Sequence, residues 1–478
     1  MKVLMFGWEF PPNISGGLGT ACYGLTKGLS KLNDVEVTFV VPKVFGGEDK
    51  SNINLISAGD VSISNRKIQL TEFGKSLEYL EVNSKLVPYV GPEEYYRQTS
   101  FTVEGIKSFV ETNAEGKVKF TGKYTEDLFS EIARYALVAN VIAQDNQFDV
   151  IHAHDWLTYP AGIAAKQVSG KPLVIHVHAT DFDRSGGSAN PNVYAIEKQG
   201  MDVADKIVTV SNLTRQVVID KYGIDPMKIV TVYNAVDPFQ NENLPTIVKG
   251  FHEKIVTFLG RITTQKGPEY FVDAANRVLQ KIHNVRFVMA GSGDMMNKMI
   301  RRVAQLKIAD KFHFAGFLKG DDVYKMLRMS DVYVMPSVSE PFGISALEAM
   351  QAGVPIIISR QSGVAEILTN AFKLDFWDVD AMADAIYGLL KYPMLSKVLV
   401  REEQKELSNI NWEDSARIIK GVYNSAIHGP KLLVNSNDSY GPMVFKNKKT
   451  SLNRYEKKCI SHSHRKVQIS QRISSVPN

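Results

Sequence analysis

Short, unbroken apolar runs alternate along this chain with longer segments whose apolar positions recur at helical spacing, and the alternation runs twice. Residues 2–7 and 35–41 (VEVTFVV) are β-branched runs, and between them Cys22, Leu25, Leu29 and Leu32 keep helical period, which predicts an opening βαβ unit. A helix is predicted over 126–144, then buried strands through FDVIHAHDW (148–156) and PLVIHVHATD (172–181), then a strand and helix in DKIVTVSNLTRQVVIDKYG (205–223). Residues 232–254 lose the period and gain Pro and Asn, which marks a domain boundary. The alternation then restarts with strands at IVTFLG (255–260), VRFVMAG (285–291), KFHFAGFL (311–318), VYVMPS (332–337) and VPIII (354–358), separated by helical segments. The prediction is an α/β protein of two doubly wound, Rossmann-like domains.

Residues 45–125 break the pattern and read as a large insertion on the first domain. Residues 411–429 predict a last amphipathic helix capped by Asn411. Composition changes the picture only at the C-terminus. The chain has 478 residues, 44% hydrophobic content and a net charge of +5. Residues 430–478 hold ten Lys/Arg against Asp438 and Glu456, so they carry +8 and leave residues 1–429 at −3. A mildly acidic body argues against a nucleic-acid-binding surface, and the Ser/Asn/Lys-rich tail is expected to be disordered. Cys22 and Cys459 exclude a disulfide framework, and a thiolate metal site is not expected. The start MKVLMFGW has no basic region or cleavage signature, and no apolar run is long enough to span a bilayer. A soluble, cytoplasmic protein is expected.

Candidate chemistry gathers where strands end, the ligand-binding edge of open parallel sheets. The stretch SEPFGISALE (339–348) turns a strand into a helix. Pro341 keeps Glu340 out of the helix, Gly343 permits close approach, and the amides of Gly343, Ile344 and Ser345 would be unpaired first-turn donors, a phosphate site. Glu340 and Glu348 flank that site, and their carboxylates suit sugar and ribose hydroxyls rather than phosphate. The plain alternative is a surface helix with acidic neighbours. GRITTQKG (260–267) sets Arg261 and Lys266 over another strand end, a fork and a point charge suited to a diphosphate. Gly16, Gly17 and Gly19 form a glycine turn after the first strand, too far from it for a dinucleotide fingerprint, and Gly291 in AGSGD begins another. His154, Asp155, His176 and His178 end two strands. His152 and His176 are taken to alternate with His154 and His178, so that only some face one cleft. The pairs Asp181/Asp183 and Asp378/Asp380 have DxD spacing, but with Arg and Lys available to neutralise a leaving group they are not expected to hold a metal.

Taken together, the GGLG turn, HAHDW, VHVHATDFDR, GRITTQKG, AGSGD and the E-x7-E pair, in this order over residues 1 to about 429, resemble the retaining glycosyltransferases of the GT-B fold, near family 4 and the glycogen and starch synthases. The resemblance implies two Rossmann-like domains facing across a cleft: an acceptor-side domain (1–245, insertion about 45–125), a nucleotide-sugar domain (246–410), and a helix (411–429) crossing back to the first. It implies that Arg261 and Lys266 hold the diphosphate with the amides of Gly17, Gly343 and Ile344 and the turn at Gly291. Glu340 would bind the sugar hydroxyls and Glu348 the ribose, with His178 at the reacting sugar and Asp155 on the acceptor side. The expected activity is hexosyl transfer, of glucose first, from a nucleotide diphosphate sugar to a carbohydrate acceptor such as an α-glucan, with no cofactor or metal requirement. Other readings are a sucrose- or disaccharide-type synthase, a GT-B sugar-nucleotide epimerase and a catalytically silent glucan-binding protein. Ile14 stands where bacterial glycogen synthases carry Lys in their Lys-x-Gly-Gly-Leu loop, and Glu348 is acidic where theirs is not. Both favour the family 4 side.

Overall fold

The computed structural model describes residues 1–14, 16–63, 112–124, 128–237 and 252–429. In the first half the chain runs β1 (Lys2–Phe6), α1 (Gly17–Ser30), β2 (Glu36–Val41), β3 (Asn54–Ser57), α2 (Leu128–Asp145), β4 (Val150–His154), α3 (Tyr159–Ser169), β5 (Leu173–Val177), α4 (Asp181–Arg184), α5 (Pro191–Val203), β6 (Lys206–Thr209), α6 (Asn212–Tyr222) and β7 (Ile229–Thr231). Its seven described strands pair in parallel in the order β3-β2-β1-β4-β5-β6-β7. Helices cover both faces, so the central strands are buried on both sides and read as unbroken apolar runs.

The second half runs β8 (Lys254–Leu259), α7 (Pro268–Leu279), β9 (Val285–Ala290), α8 (Met296–Gln305), β10 (Phe312–Gly316), α9 (Asp321–Met329), β11 (Val332–Met335), α10 (Ile344–Gln351), β12 (Ile356–Ser359), α11 (Val364–Ile367), β13 (Phe372–Leu374), α12 (Val379–Lys391), α13 (Pro393–Leu407) and α14 (Trp412–His428). Its sheet is also parallel, in the order β10-β9-β8-β11-β12-β13. Strand order reverses between β1 and β4 in one sheet and between β8 and β11 in the other. Each reversal opens a crevice at the carboxyl ends of the strands, and these two crevices are where ligands bind in doubly wound sheets.

Two sequence expectations need correction or limits. The strand β3 lies inside the stretch assigned to an insertion, yet Leu55 and Ile56 pair beside Phe39 and Val40 and complete the sheet edge. As an edge strand it is only partly buried and lacks the apolar run that marks the central strands. The rest of the supposed insertion from 64 to 111, residues 238–251 of the predicted boundary and the tail 430–478 lie outside the described residues.

The helix α14 is capped by the Asn411 side chain, which accepts from the Asp414 amide, and it packs on α1 of the first half rather than on its own sheet. Gly24 and Gly28 make that packing possible. A Cβ on Gly28 would lie 2.4 Å from the Trp412 carbonyl oxygen, and one on Gly24 would lie 2.2 Å from the Trp412 ring. No described helix is long and apolar enough to cross a membrane.

Candidate active site

At the second crevice, β8 ends in Gly260 and passes through Arg261 to a short 3-10 turn, Thr264–Lys266. Gly267 then turns the chain into α7 with φ of +63°, pressed so close to β11 that a Cβ would lie 2.1 Å from the Pro336 carbonyl oxygen. That contact holds the loop over the end of β11. It brings the Lys266 Nζ to 2.5 Å from Glu340 Oε2, which also accepts from the Ser337 hydroxyl at 3.0 Å. Both partners are largely buried, Glu340 the more so. The sequence placed Lys266 with phosphate and Glu340 with sugar hydroxyls; in the structure the two neutralise each other. Arg261 is exposed and donates to Gln265 Oε1 at 3.2 Å, leaving most of its guanidinium open to the crevice mouth.

The Glu340 backbone is fixed by its amide to the Gln361 carbonyl and its carbonyl to the Gly363 amide, each at 2.9 Å. Past Pro341, Gly343 adopts φ of +109° and caps α10, whose first-turn amides at Ile344 and Ser345 have no intrahelical acceptor. Glu348, one turn along, is half-buried with its carboxyl pushed up to about 6 by desolvation. Gly291 stands at φ of +139° where a Cβ would lie 1.8 Å from the Gly260 carbonyl oxygen, so the closeness of two strand-end loops already requires glycine there. Gly17 is different. It begins α1 exposed, and a Cβ would meet no atom within 4 Å, so its backbone is open to a ligand rather than crowded by protein.

In the first half, the sequence-based split of the histidines is wrong. Positions i and i+2 of a strand share a face, and His152, His154, His176 and His178 form one cluster, with His154 Nδ1 2.9 Å from His178 Nε2. Asp155 adopts φ of +59°, and its Oδ1 accepts from the amides of His178 and Ala179 at 2.7 and 3.3 Å. Its Oδ2 receives Arg184 Nη2 at 2.9 Å. Asp155 therefore holds the His178 turn in place, and its carboxylate is committed to that work rather than presented to an acceptor.

Three residues outside the predicted set complete the arrangement. Arg184 joins Asp155 to the buried Glu197, whose carboxyl is pushed up to about 7 mainly by burial. Asp183 Oδ2 accepts from the Thr180 amide and hydroxyl, while its Oδ1 takes the Ser339 hydroxyl at 2.6 Å and so ties the His178 turn to the Glu340 loop. Thr180-x-x-Asp183 is a helix-start pattern that the sequence displayed. Glu366 accepts from the Asn212 and Leu213 amides at 2.9 and 2.7 Å, another contact between halves, and nothing local in the sequence announced it. The two DxD pairs have structural work: Asp181 accepts from the Asn190 amide, Asp378 caps α12, and Asp380 pairs with Arg277.

Residues 241–406 match the family model "Glycosyl transferases group 1" and residues 106–239 match "Glycosyltransferase Family 4". An uncharacterized glycosyltransferase of Methanocaldococcus jannaschii is 28% identical over 446 residues, covering 89% of this chain and 99% of its own length. A glycogen synthase of Mycobacterium tuberculosis is 26% identical over 446 residues, covering 90% of this chain and 96% of its own. Among solved structures, HepE of Anabaena in complex with UDP and glucose superposes with a TM-score of 0.61 at 16% identity, covering 89% of this chain and 100% of that one. TarM superposes with a TM-score of 0.64 at 14% identity, covering 89% and 99%. These likenesses are to the GT-B fold.

Proposed function

Because the chain is a GT-B glycosyltransferase carrying group 1 and family 4 domains, we propose that it transfers a hexose, glucose first, with retention, from a nucleotide diphosphate sugar to a carbohydrate acceptor such as an α-glucan. The observation that carries the reading is the Lys266–Glu340 pair beside the first-turn amides of α10. An ion pair at a helix N-terminus is a ready exchange site. A diphosphate displaces Glu340 from Lys266, and the sugar hydroxyls then donate to the freed carboxylate, so both charges stay satisfied while the donor enters.

Departure of the nucleotide builds negative charge on the phosphate and positive charge at the anomeric carbon. Lys266, Arg261 and the amides of Gly17, Gly343 and Ile344 stabilise the first, and fixed charges of this kind lower the barrier without reorganising. Glu348 accepts from the ribose. Gly291 lets the strand-end loop close against the donor site. His178, held by Asp155 through its amide, positions the sugar rather than attacking it. No metal is assigned to the leaving group, since the cations occupy that role. The relative named glycogen synthase and the neighbour solved with UDP and glucose support a glucosyl donor, with the base open between ADP and UDP.

A panel of nucleotide sugars, with and without glucan primers, tests the reading through released nucleotide and product mass. Primer-dependent nucleotide release with a glycan one hexose longer is expected. Donor isomerisation without an acceptor would favour an epimerase, a disaccharide product a sucrose-type synthase, and donor left unchanged a silent glucan-binding protein.

A further inference from the structure

Beneath His178 the first sheet holds three buried imidazoles to which the proposed reaction assigns no role. His152 and His154 on β4 are 0% exposed and His176 on β5 is 2% exposed. Their ring centroids lie 4.3 Å (His152–His154), 5.4 Å (His152–His176) and 5.2 Å (His154–His176) apart. Among the described residues, Nε2 of His152, Nε2 of His154 and both ring nitrogens of His176 have no hydrogen-bond partner. Buried polar atoms left unpaired cost about as much as lost hydrogen bonds, so several at one spot call for an occupant.

The remaining nitrogens indicate what kind. His152 Nδ1 lies 2.7 Å from the Tyr423 hydroxyl, and His154 Nδ1 lies 2.9 Å from His178 Nε2. If each Nδ1 carries the proton and donates it outward, each Nε2 offers a lone pair, which is the usual setting of a metal-bound histidine. One ring nitrogen from each of the three lies within 4.8 Å of the others. Tetrahedral zinc needs them about 3.4 Å apart, which follows from a metal–nitrogen bond of about 2.05 Å, so the rings must turn to converge on an ion.

We propose that His152, His154 and His176 bind one first-row divalent transition-metal ion, best matched by zinc, as a structural site that ties β4 and β5 together and, through Tyr423, to α14. Neutral imidazoles select this class over magnesium or calcium, which require oxygen ligands. A second set, Cys22 with His154 and His178, is also close enough to bind. It takes His178 away from the cleft. The site lies in the first sheet, apart from Arg261 and Lys266 in the second half, so it adds no cation at the leaving group.

The test uses the full-length chain, stripped with a chelator and then given zinc or cobalt(II). One equivalent should survive dialysis, the thermal midpoint should rise on loading, and bound cobalt should show tetrahedral visible bands without a thiolate charge-transfer band. His176→Gln should abolish stoichiometric retention and the thermal rise. Tyr423→Phe, which keeps the three ligands, should weaken affinity about 10- to 100-fold, so the proposal remains testable if His176→Gln does not fold. No retention with an unchanged midpoint would assign the orphan nitrogens to water and overturn the site. A thiolate band would move it to Cys22, and retention unchanged in His176→Gln would move it elsewhere, to Cys459, His462 and His464 among others; either outcome defeats the proposal.

Discussion

Glu348 and Asp155 show how one functional group, the carboxyl, takes two roles from its surroundings. Desolvation raises the Glu348 carboxyl to about 6 from an ordinary 4.5, so below about pH 6 it is mostly protonated and a poorer acceptor for ribose. Donor affinity should therefore weaken as pH falls through 6, by at most about tenfold per unit, and Glu348→Gln should flatten that dependence. A donor Kd measured across pH 5–8 that falls equally in both proteins would remove Glu348 from the ribose. Asp155 is instead spent on the His178 and Ala179 amides and on Arg184. Asp155→Asn keeps one acceptor but loses the charge opposite Arg184, so kcat should fall while donor KM changes little. The sequence marked Asp155 as chemically important by its place at a strand end, but it could not reveal that the carboxylate faces inward. That depends on its left-handed backbone and on Arg184, which lies 29 residues further along the chain.

Glu403 on α13 is 0% exposed, accepts from the Ile356 amide through Oε1, and has its carboxyl pushed up to about 8, chiefly by burial. A raised folded-state value means the native protein holds this proton more tightly than the unfolded chain. Its stabilising effect is complete below about pH 4.5 and is lost as pH rises through about 8. Glu403→Gln keeps the acceptor for Ile356 and removes the ionisation, so its melting temperature should exceed the wild type's at pH 8.5, with a smaller gap at pH 6. A gap that does not change with pH would show that Glu403 ionises freely. At α1, Gly28→Ala would gain at most about 1 kcal/mol of helix propensity. The Trp412 carbonyl that its Cβ would strike at 2.4 Å is backbone and cannot turn aside. Overpacking of this kind costs about 1–3 kcal/mol, so urea denaturation should show a net loss, and a net gain would mean that α14 slides freely on α1. The central strands and their helices were readable because burial on both faces leaves unbroken apolar runs. The edge strand β3 was not, because half of its surface meets solvent.

At the scale of the whole molecule, two crevices are held together by contacts that no local pattern encodes: Ser339 to Asp183, Glu366 to the start of α6, and α14 on α1. The sequence displayed the loops at each strand end but not which would touch, since that requires both halves folded. Removing residues 430–478, whose charge and composition gave no apolar period, should leave donor turnover intact. Removing residues from 411 onward should abolish it, because α14 buries Trp412 and Tyr423 against the first half; equal turnover in the two truncations would deny α14 that role. The central claim is that Arg261 and Lys266 are the leaving-group cations, and it is met most directly by turnover at saturating donor in folded Lys266→Ala and Arg261→Ala variants. Each should lose about a hundredfold, roughly 3 kcal/mol of transition-state stabilisation, with a much smaller change in donor affinity. Near-normal turnover in both variants would contradict the account and move the phosphate site elsewhere.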